Sequence, residues 1–214
     1  MALTGLALTG FVFVHMLGNL QIFLGQEQLN VYGEHLRSLP MLLWPARVFL
    51  FLTVVLHITI AMQLAIENKN ARPVGYACEG TVQASLASRT MVISGLAIFA
   101  FIVFHLLHFT FGRVHPEFYA LQDPRGRRDV YTMVILGFRD PWVCGSYVAA
   151  MALLWFHLSH GVASFFQTLG LNNEKTKIKF KIFAHVLAFI IFMGNSSIAL
   201  AAFFKLLPLP KGGI

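Results

Sequence analysis

The stretch MVISGLAIFAFIVFHLLHFTF, residues 91–111, decides the fold class of this chain. It runs for 21 residues without an aspartate, glutamate, lysine or arginine. A helix of roughly 20 apolar residues crosses a bilayer core, so the stretch predicts a transmembrane helix. It also carries two histidines, His105 and His108, and ionisable residues inside a membrane are costly and usually functional.

Four further apolar runs and the overall composition support the same fold class. The chain of 214 residues is 57% hydrophobic and 12% charged, whereas soluble domains carry about 25% charged residues. We therefore expect an all-α integral membrane protein, a single domain over residues 1–214, with five transmembrane helices. The predicted spans are about residues 3–24, 41–66, 91–111, 142–168 and 182–207.

Cysteine usage and net charge argue against several function classes. Cys78 and Cys144 form no C-x-x-C-H or paired C-x-x-C motif, so neither a covalently attached haem nor a thiolate metal site is expected. The formal charge of +7 comes mostly from the polar connections, so we do not expect nucleic-acid binding. The first span lacks a basic n-region and a cleavage motif, so it is not predicted to be a signal peptide.

The positive charges do not decide the orientation. We call the membrane side of the N-terminus side A and the opposite side side B. The side A connections hold seven lysines and arginines, and side B holds nine. The positive-inside rule needs a clearer difference than this.

Seven of the nine histidines lie inside predicted spans, and four of them form two pairs by depth. His15 and His105 lie roughly 12–15 Å inside side B, because a helix rises about 1.5 Å per residue. By the same count, His57 and His160 lie roughly 15 Å inside side A. Each pair joins two different helices. The other three in spans are His108, His157 and His185, while His35 and His115 fall in connections and are expected to be solvated.

Two facing imidazoles at one depth are typical of a haem held by two axial histidines. Such a site leaves no open position on the iron, which favours electron transfer. A zinc or copper site would need three or four ligands at one level. His108 and His157 each lie one helical turn from a candidate ligand, so they are alternatives, and we favour a supporting role for both. His185 has no partner at its depth and is expected at a membrane interface.

Four segments of the chain resemble a known family. They are TGLALTGFVFVHMLGNLQIF around His15, FLTVVLHITIAMQ around His57, SGLAIFAFIVFHLLHF around His105 and HLSHGVASFFQTLGLN around His160. Together they resemble the di-haem cytochrome b membrane anchor of succinate:quinone oxidoreductase, in the form with five helices in a single anchor. The resemblance covers essentially the whole chain. It implies that the first four helices form a bundle around two b haems.

The resemblance also implies the ligands, orientation and partners. His15 would pair with His105 at a distal haem, and His57 with His160 at a proximal haem. The N-terminus would be cytoplasmic, in the inner (cytoplasmic) membrane of a prokaryote. A flavoprotein subunit and an iron–sulfur subunit would dock on side A, where Arg72, Arg89 and the lysines from Lys175 to Lys181 lie. Contact with lipid headgroups is the alternative role of these charges.

A quinone, menaquinone in many relatives, is the electron acceptor that the resemblance implies. Polar residues of the first side B connection are candidates for its site: Gln21, Tyr32, Glu34, His35 and Arg37. Arg47, Arg89, His108 and His157 are candidates for supporting the haems. Some fumarate reductases of this type have a glutamate two residues before the fourth-helix ligand. Leu158 stands there in this chain, which puts the associated proton route in doubt.

The expected function is therefore an electron conduit in succinate dehydrogenase. Electrons would pass from the iron–sulfur subunit through two b haems to quinone, with no dicarboxylate chemistry on this chain and no catalytic residue of its own. A fumarate reductase anchor uses the same design in reverse. The cytochrome b subunit of a hydrogenase or formate dehydrogenase is a further alternative. A haem-free transporter or assembly protein, with histidines as proton relays, is a third class.

Overall fold

The computed structural model of this chain describes residues 1–71 and 86–210. Within those ranges the protein is helical and forms no β-sheet. A 3₁₀ turn, Leu20–Leu24, continues the first helix, and a π-helical turn, Leu106–Thr110, continues the fifth. The α-helices are α1 (Ala2–Asn19), α2 (Gln26–Ser38), α3 (Pro40–Asn70), α4 (Leu86–Arg89), α5 (Met91–His105), α6 (Pro116–Tyr119), α7 (Val130–Phe138), α8 (Pro141–Thr168) and α9 (Lys177–Phe203).

Five of these elements are long and apolar enough to cross a membrane. They are α1 with its 3₁₀ turn, α3, α5 with its π turn, α8 and α9. The predicted number and order of spans are confirmed, and the chain is an all-helical, multi-pass membrane protein. Helix α3 is longer than predicted, because it begins at Pro40 and continues through polar residues to Asn70.

The spans pack around α1 and α8. Helix α8 runs along α9, which is the most extensive helix contact in the described structure. Helix α1 contacts α3, α8 and α9, and α5 packs on α8. The fifth span, α9, has the largest buried share of the five, and α3 has the smallest. Small residues explain the close approach of α9, because Gly194 lies directly against the sulfur of Met16 on α1.

Local sequence fixes both ends of α8. Pro141 occupies its first turn, where a missing N–H is tolerated. The Asp140 carboxylate accepts hydrogen bonds from the backbone N–H groups of Trp142 and Val143, as an N-cap should. Gly170 ends the helix at a φ of 71°, a left-handed conformation that glycine adopts without strain.

A short buried helix, α7, lies inside the connection that the sequence predicted to be polar. Its nine residues are too few to cross a membrane. They pack instead against α2 and α9 on side B, where Ile135 is fully buried. Tyr131 is also buried there, and its hydroxyl donates to the carbonyl of Pro208 at 2.9 Å. The connection is therefore not polar throughout.

A buried polar network fixes α2 and α7 to each other. The Asn30 amide is fully buried and donates to the carboxylates of Asp123, at 3.2 Å, and Asp129, at 3.0 Å. Its oxygen accepts from the Tyr131 backbone N–H at 3.1 Å. Arg127 binds Asp123 at 2.7 Å and also reaches Glu27 of α2 at 2.7 Å. The side B end of the bundle is thus closed by an ordered cap.

Candidate functional site

Six of the seven histidines in spans fall into two groups according to the ends of the helices on which they lie. The side B group contains His15 of α1, His105 at the end of α5, and His108 in the π turn that follows. The side A group contains His57 of α3 with His157 and His160 of α8.

In the side B group, His15 and His105 face each other across the bundle. Their ring centroids are 5.8 Å apart, and the ring planes cross at 88°. His15 is further positioned by stacking on Phe11, with centroids 5.3 Å apart. Two imidazoles from α1 and α5 therefore converge on one point without stacking on each other.

His108 belongs to the same group but faces a different element. It is 3% exposed and stacks on the ring of Phe109, with centroids 3.8 Å apart. Its Nε2 atom lies against Gly137 of α7, where an added Cβ would come within 2.9 Å. The structure therefore brings His105, rather than His108, to His15.

His115 departs from its expected solvated state. Its ring is partly buried, stacks on Phe118 and lies 5.5 Å from the ring of His108. Its Nδ1 lies 3.3 Å from the carboxylate of Glu117. Its Nε2 is buried and has no hydrogen-bond partner in the described part of the chain. The expectation is corrected because the connection folds back onto the π turn.

In the side A group, two imidazoles are anchored by hydroxyls of neighbouring helices. His57 Nδ1 shares a hydrogen bond of 3.0 Å with Thr4 Oγ1 of α1. His157 Nδ1 shares one of 3.2 Å with Ser94 Oγ of α5.

Two glycines provide flat contact surfaces for these rings. A Cβ added to Gly5 of α1 would lie 3.4 Å from Cε1 of His57, and one added to Gly95 of α5 would lie 3.4 Å from Cε1 of His157. Each ring thus packs on helix backbone. Larger residues at these positions would push the rings away from the centre of the group.

His160 has a different local environment. Its Nε2 shares a hydrogen bond of 3.2 Å with Ser164 Oγ, one turn later on the same helix. His160 and His57 make no ring contact in the described structure. Leu158 is buried in an apolar cluster with Met16 and Ile191. In this group His157 has its Nδ1 engaged by a neighbouring helix, whereas His160 has its Nε2 engaged within its own helix.

The predicted supporting residues outside the two groups lie at the ends of helices. Arg47 is exposed near the side B end of α3, with its guanidinium 5.3 Å from the ring centre of Trp44. Arg89 is exposed at the end of α4 on side A. His185 is exposed on α9, and its Nδ1 lies 2.8 Å from the Lys181 carbonyl.

The predicted quinone residues differ in their contacts and in their exposure. Tyr32 packs its hydroxyl end against Gly18 of α1, one turn beyond His15. The Gln21 side chain accepts a hydrogen bond of 3.1 Å from Gln28. The remaining three lie exposed on α2: Glu34, His35 and Arg37.

Sequence reasoning missed the hydroxyls that hold the imidazoles. Thr4, Ser94 and Tyr147 each contact the Nδ1 atom of a histidine on another helix. A polar residue at the depth of a candidate ligand is the signal that would have found them.

Comparisons with models of protein families, with curated proteins and with solved structures found no match to this chain.

Proposed function

We propose that this chain is the di-haem cytochrome b anchor of a succinate:quinone oxidoreductase. One observation carries the proposal: His15 and His105 come from two helices and meet with ring centroids 5.8 Å apart. A metal–nitrogen bond is about 2 Å long, and the bound nitrogen lies about 1 Å from the centroid of its imidazole ring. Two imidazoles that bound one metal ion from opposite sides would therefore have centroids about 6 Å apart. The separation therefore fits one iron atom between these two rings.

The hydrogen-bond partners of the histidines support the same use. A metal-bound histidine usually donates its other ring N–H to a fixed acceptor, which sets its tautomer. His57, His105 and His157 each have Nδ1 engaged by a hydroxyl from another helix. This leaves Nε2 of these rings available for iron.

Four histidines would hold the two haems. His15 and His105 would bind the distal haem, and His57 and His160 the proximal one. The hydrogen bonds of side A favour His157, because Nε2 of His160 is engaged by Ser164 while, among the described residues, Nε2 of His157 is not, whereas depth and resemblance favour His160. A b-type haem with two histidine ligands supplies a one-electron redox centre without an open iron position.

The proposed partners follow from the resemblance and from charge. A flavoprotein and an iron–sulfur subunit would bind side A, which would be cytoplasmic, with (mena)quinone as the electron acceptor. Exposed cations on that side support a docking surface: Arg89, Lys175, Lys177, Lys179 and Lys181. Arg72, which was predicted to belong to the same surface, lies outside the described residues. Such a subunit belongs in the cytoplasmic membrane of a prokaryote.

Spectroscopy of the purified full-length chain tests the proposal. A dithionite-reduced-minus-oxidised spectrum, with pyridine haemochrome quantification, should give two b haems per chain. A chain that purifies folded but shows no Soret band would contradict the proposal and would favour a haem-free transporter or assembly protein.

Single histidine replacements test the assignment of ligands. His160→Ala should remove one haem, and His157→Ala should leave both. The opposite pattern would assign His157 as the ligand, as the side A contacts favour. His185→Ala is the matched control, because it removes an exposed histidine from a span that carries no proposed ligand, and it should retain two haems.

A further inference from the structure

The hydroxyl of Tyr147 lies between two imidazoles. It is 3.2 Å from Nδ1 of His105 and 3.1 Å from Nδ1 of His108. Tyr147 belongs to α8, whereas both histidines belong to the α5 span. A phenol has one O–H to donate and lone pairs that accept. It can therefore accept from one ring and donate to the other.

Aromatic packing, rather than these hydrogen bonds, fixes the place of the hydroxyl. The Tyr147 side chain is 7% exposed. Its ring packs edge-on against four phenylalanines, with centroids 4.8–5.9 Å away: Phe101, Phe104, Phe109 and Phe138. Such pairs are stabilising beyond the area that they bury. A phenylalanine at this position would keep the same packing and remove only the oxygen.

The proposed haem at His105 decides the direction of the hydrogen bonds. His105 contacts His15, while Nε2 of His108 lies against α7. If Nε2 of His105 holds iron, its proton must be on Nδ1 and is donated to the Tyr147 oxygen. The hydroxyl hydrogen is then donated to Nδ1 of His108. Neutral His108 accordingly carries its own proton on Nε2.

We propose that Tyr147 is a positioning residue that fixes the tautomer and ring orientation of His105, with His108 as the acceptor that orients the Tyr147 hydroxyl. This inference rests on the proposed haem at His15 and His105. A hydrogen bond from Nδ1–H makes the other ring nitrogen a stronger donor to iron. A stronger donor favours the ferric state, so Tyr147 should keep the potential of the distal haem low.

Tyr147→Phe in the full-length, haem-loaded protein tests the proposal. We expect two haems to be retained and the midpoint potential of one to rise, while that of the other is unchanged. Removal of a group that hydrogen-bonds to a metal-binding histidine typically lowers the metal affinity 10–100-fold. A tenfold loss confined to the ferric state corresponds to a rise of about 59 mV for a one-electron couple.

Tyr131→Phe is the matched control. It also removes a buried phenol oxygen on side B, but one that donates to the Pro208 carbonyl. It should leave both potentials unchanged. Two haems with unaltered potentials in Tyr147→Phe would overturn the inference, whereas a wild-type chain without haem would overturn the proposed function itself.

A second measurement observes the proton directly. In the dithionite-reduced, haem-loaded chain, ¹⁵N NMR of labelled histidines should show a proton on Nδ1 of His105, and His105→Gln assigns the signal by removing it. In Tyr147→Phe this Nδ1–H signal should shift, because its acceptor is lost. A signal that Tyr147→Phe leaves unshifted would contradict the proposed hydrogen bond.

Discussion

Asn30→Ala should be among the most destabilising single substitutions in the side B cap. The amide is fully buried and makes three hydrogen bonds, to Asp123, Asp129 and the backbone N–H of Tyr131. Alanine can replace none of them. The cost follows from what each partner loses.

The loss can be estimated bond by bond. The N–H of Tyr131 would lose its acceptor in a buried site, which costs about 1–3 kcal/mol. Each carboxylate would lose one charge-assisted hydrogen bond, worth about 1.5–3 kcal/mol. Both carboxylates keep other donors, Arg127 for Asp123 and Gln26 for Asp129. The lower end of each range is therefore appropriate, and the total is about 4 kcal/mol.

Unfolding of the purified chain in detergent micelles, by SDS titration with tryptophan fluorescence, measures this loss. Gln28→Ala is the control, since that amide is exposed and makes one hydrogen bond, to Gln21. It should change the free energy of unfolding by less than about 0.5 kcal/mol. A loss below about 1 kcal/mol for Asn30→Ala would refute the network as the element that holds α2 to α7.

Three further predictions concern the same free energy of unfolding. Burial raises the pKa of Asp123, but hydrogen bonds from Arg127, Arg125 and Asn30 together outweigh burial and hold that pKa below its usual value. The ionised Asp123 carboxylate should therefore add its full share to the free energy of unfolding above about pH 4, and this share should be lost as the pH falls further. Asp123→Asn should make the free energy of unfolding less dependent on pH in that range. Gly170→Ala should cost about 1 kcal/mol, because position 170 has a left-handed φ. Lys205→Gly should stabilise the folded protein by about 0.5 kcal/mol, because Lys205 has a left-handed φ of 58° that glycine adopts at lower cost. If Gly170→Ala or Lys205→Gly has the same free energy of unfolding as the wild type, the backbone argument for that position is wrong.

The five spans were predictable because length and apolarity alone identify a membrane helix. Helix α7 was not, because nine apolar residues have no such signal and become buried only through contact with α2 and α9. The expectation that His115 is solvated failed for a similar reason. The position of a short segment in a connection is decided by tertiary contacts that its own sequence does not contain.

Depth was predictable by counting residues, since helix rise is constant. Rotation about the helix axis was not. His157 and His160 differ by one turn, and packing of α8 on α9 and α5 decides which of them approaches His57. Tyr147 was within reach of the depth count, since it lies six residues into α8 from side B, close to the level of His105. It was overlooked because only histidines were counted.

The slight burial of α3 has a consequence for assembly. Only Thr53 of this helix is fully buried, and His57 provides a polar contact to α1 through Thr4. Packing is the main force between helices in a membrane, so α3 contributes little attraction of its own. A group bound between His57 and α8 would add to the docking energy of α3, because binding to the folded state alone stabilises that state. If the proposed function is correct, haem binding and the docking of α3 onto the bundle are one coupled equilibrium. In a chain without haem, α3 would be held loosely, and membrane proteases could recognise that chain by its loose second span.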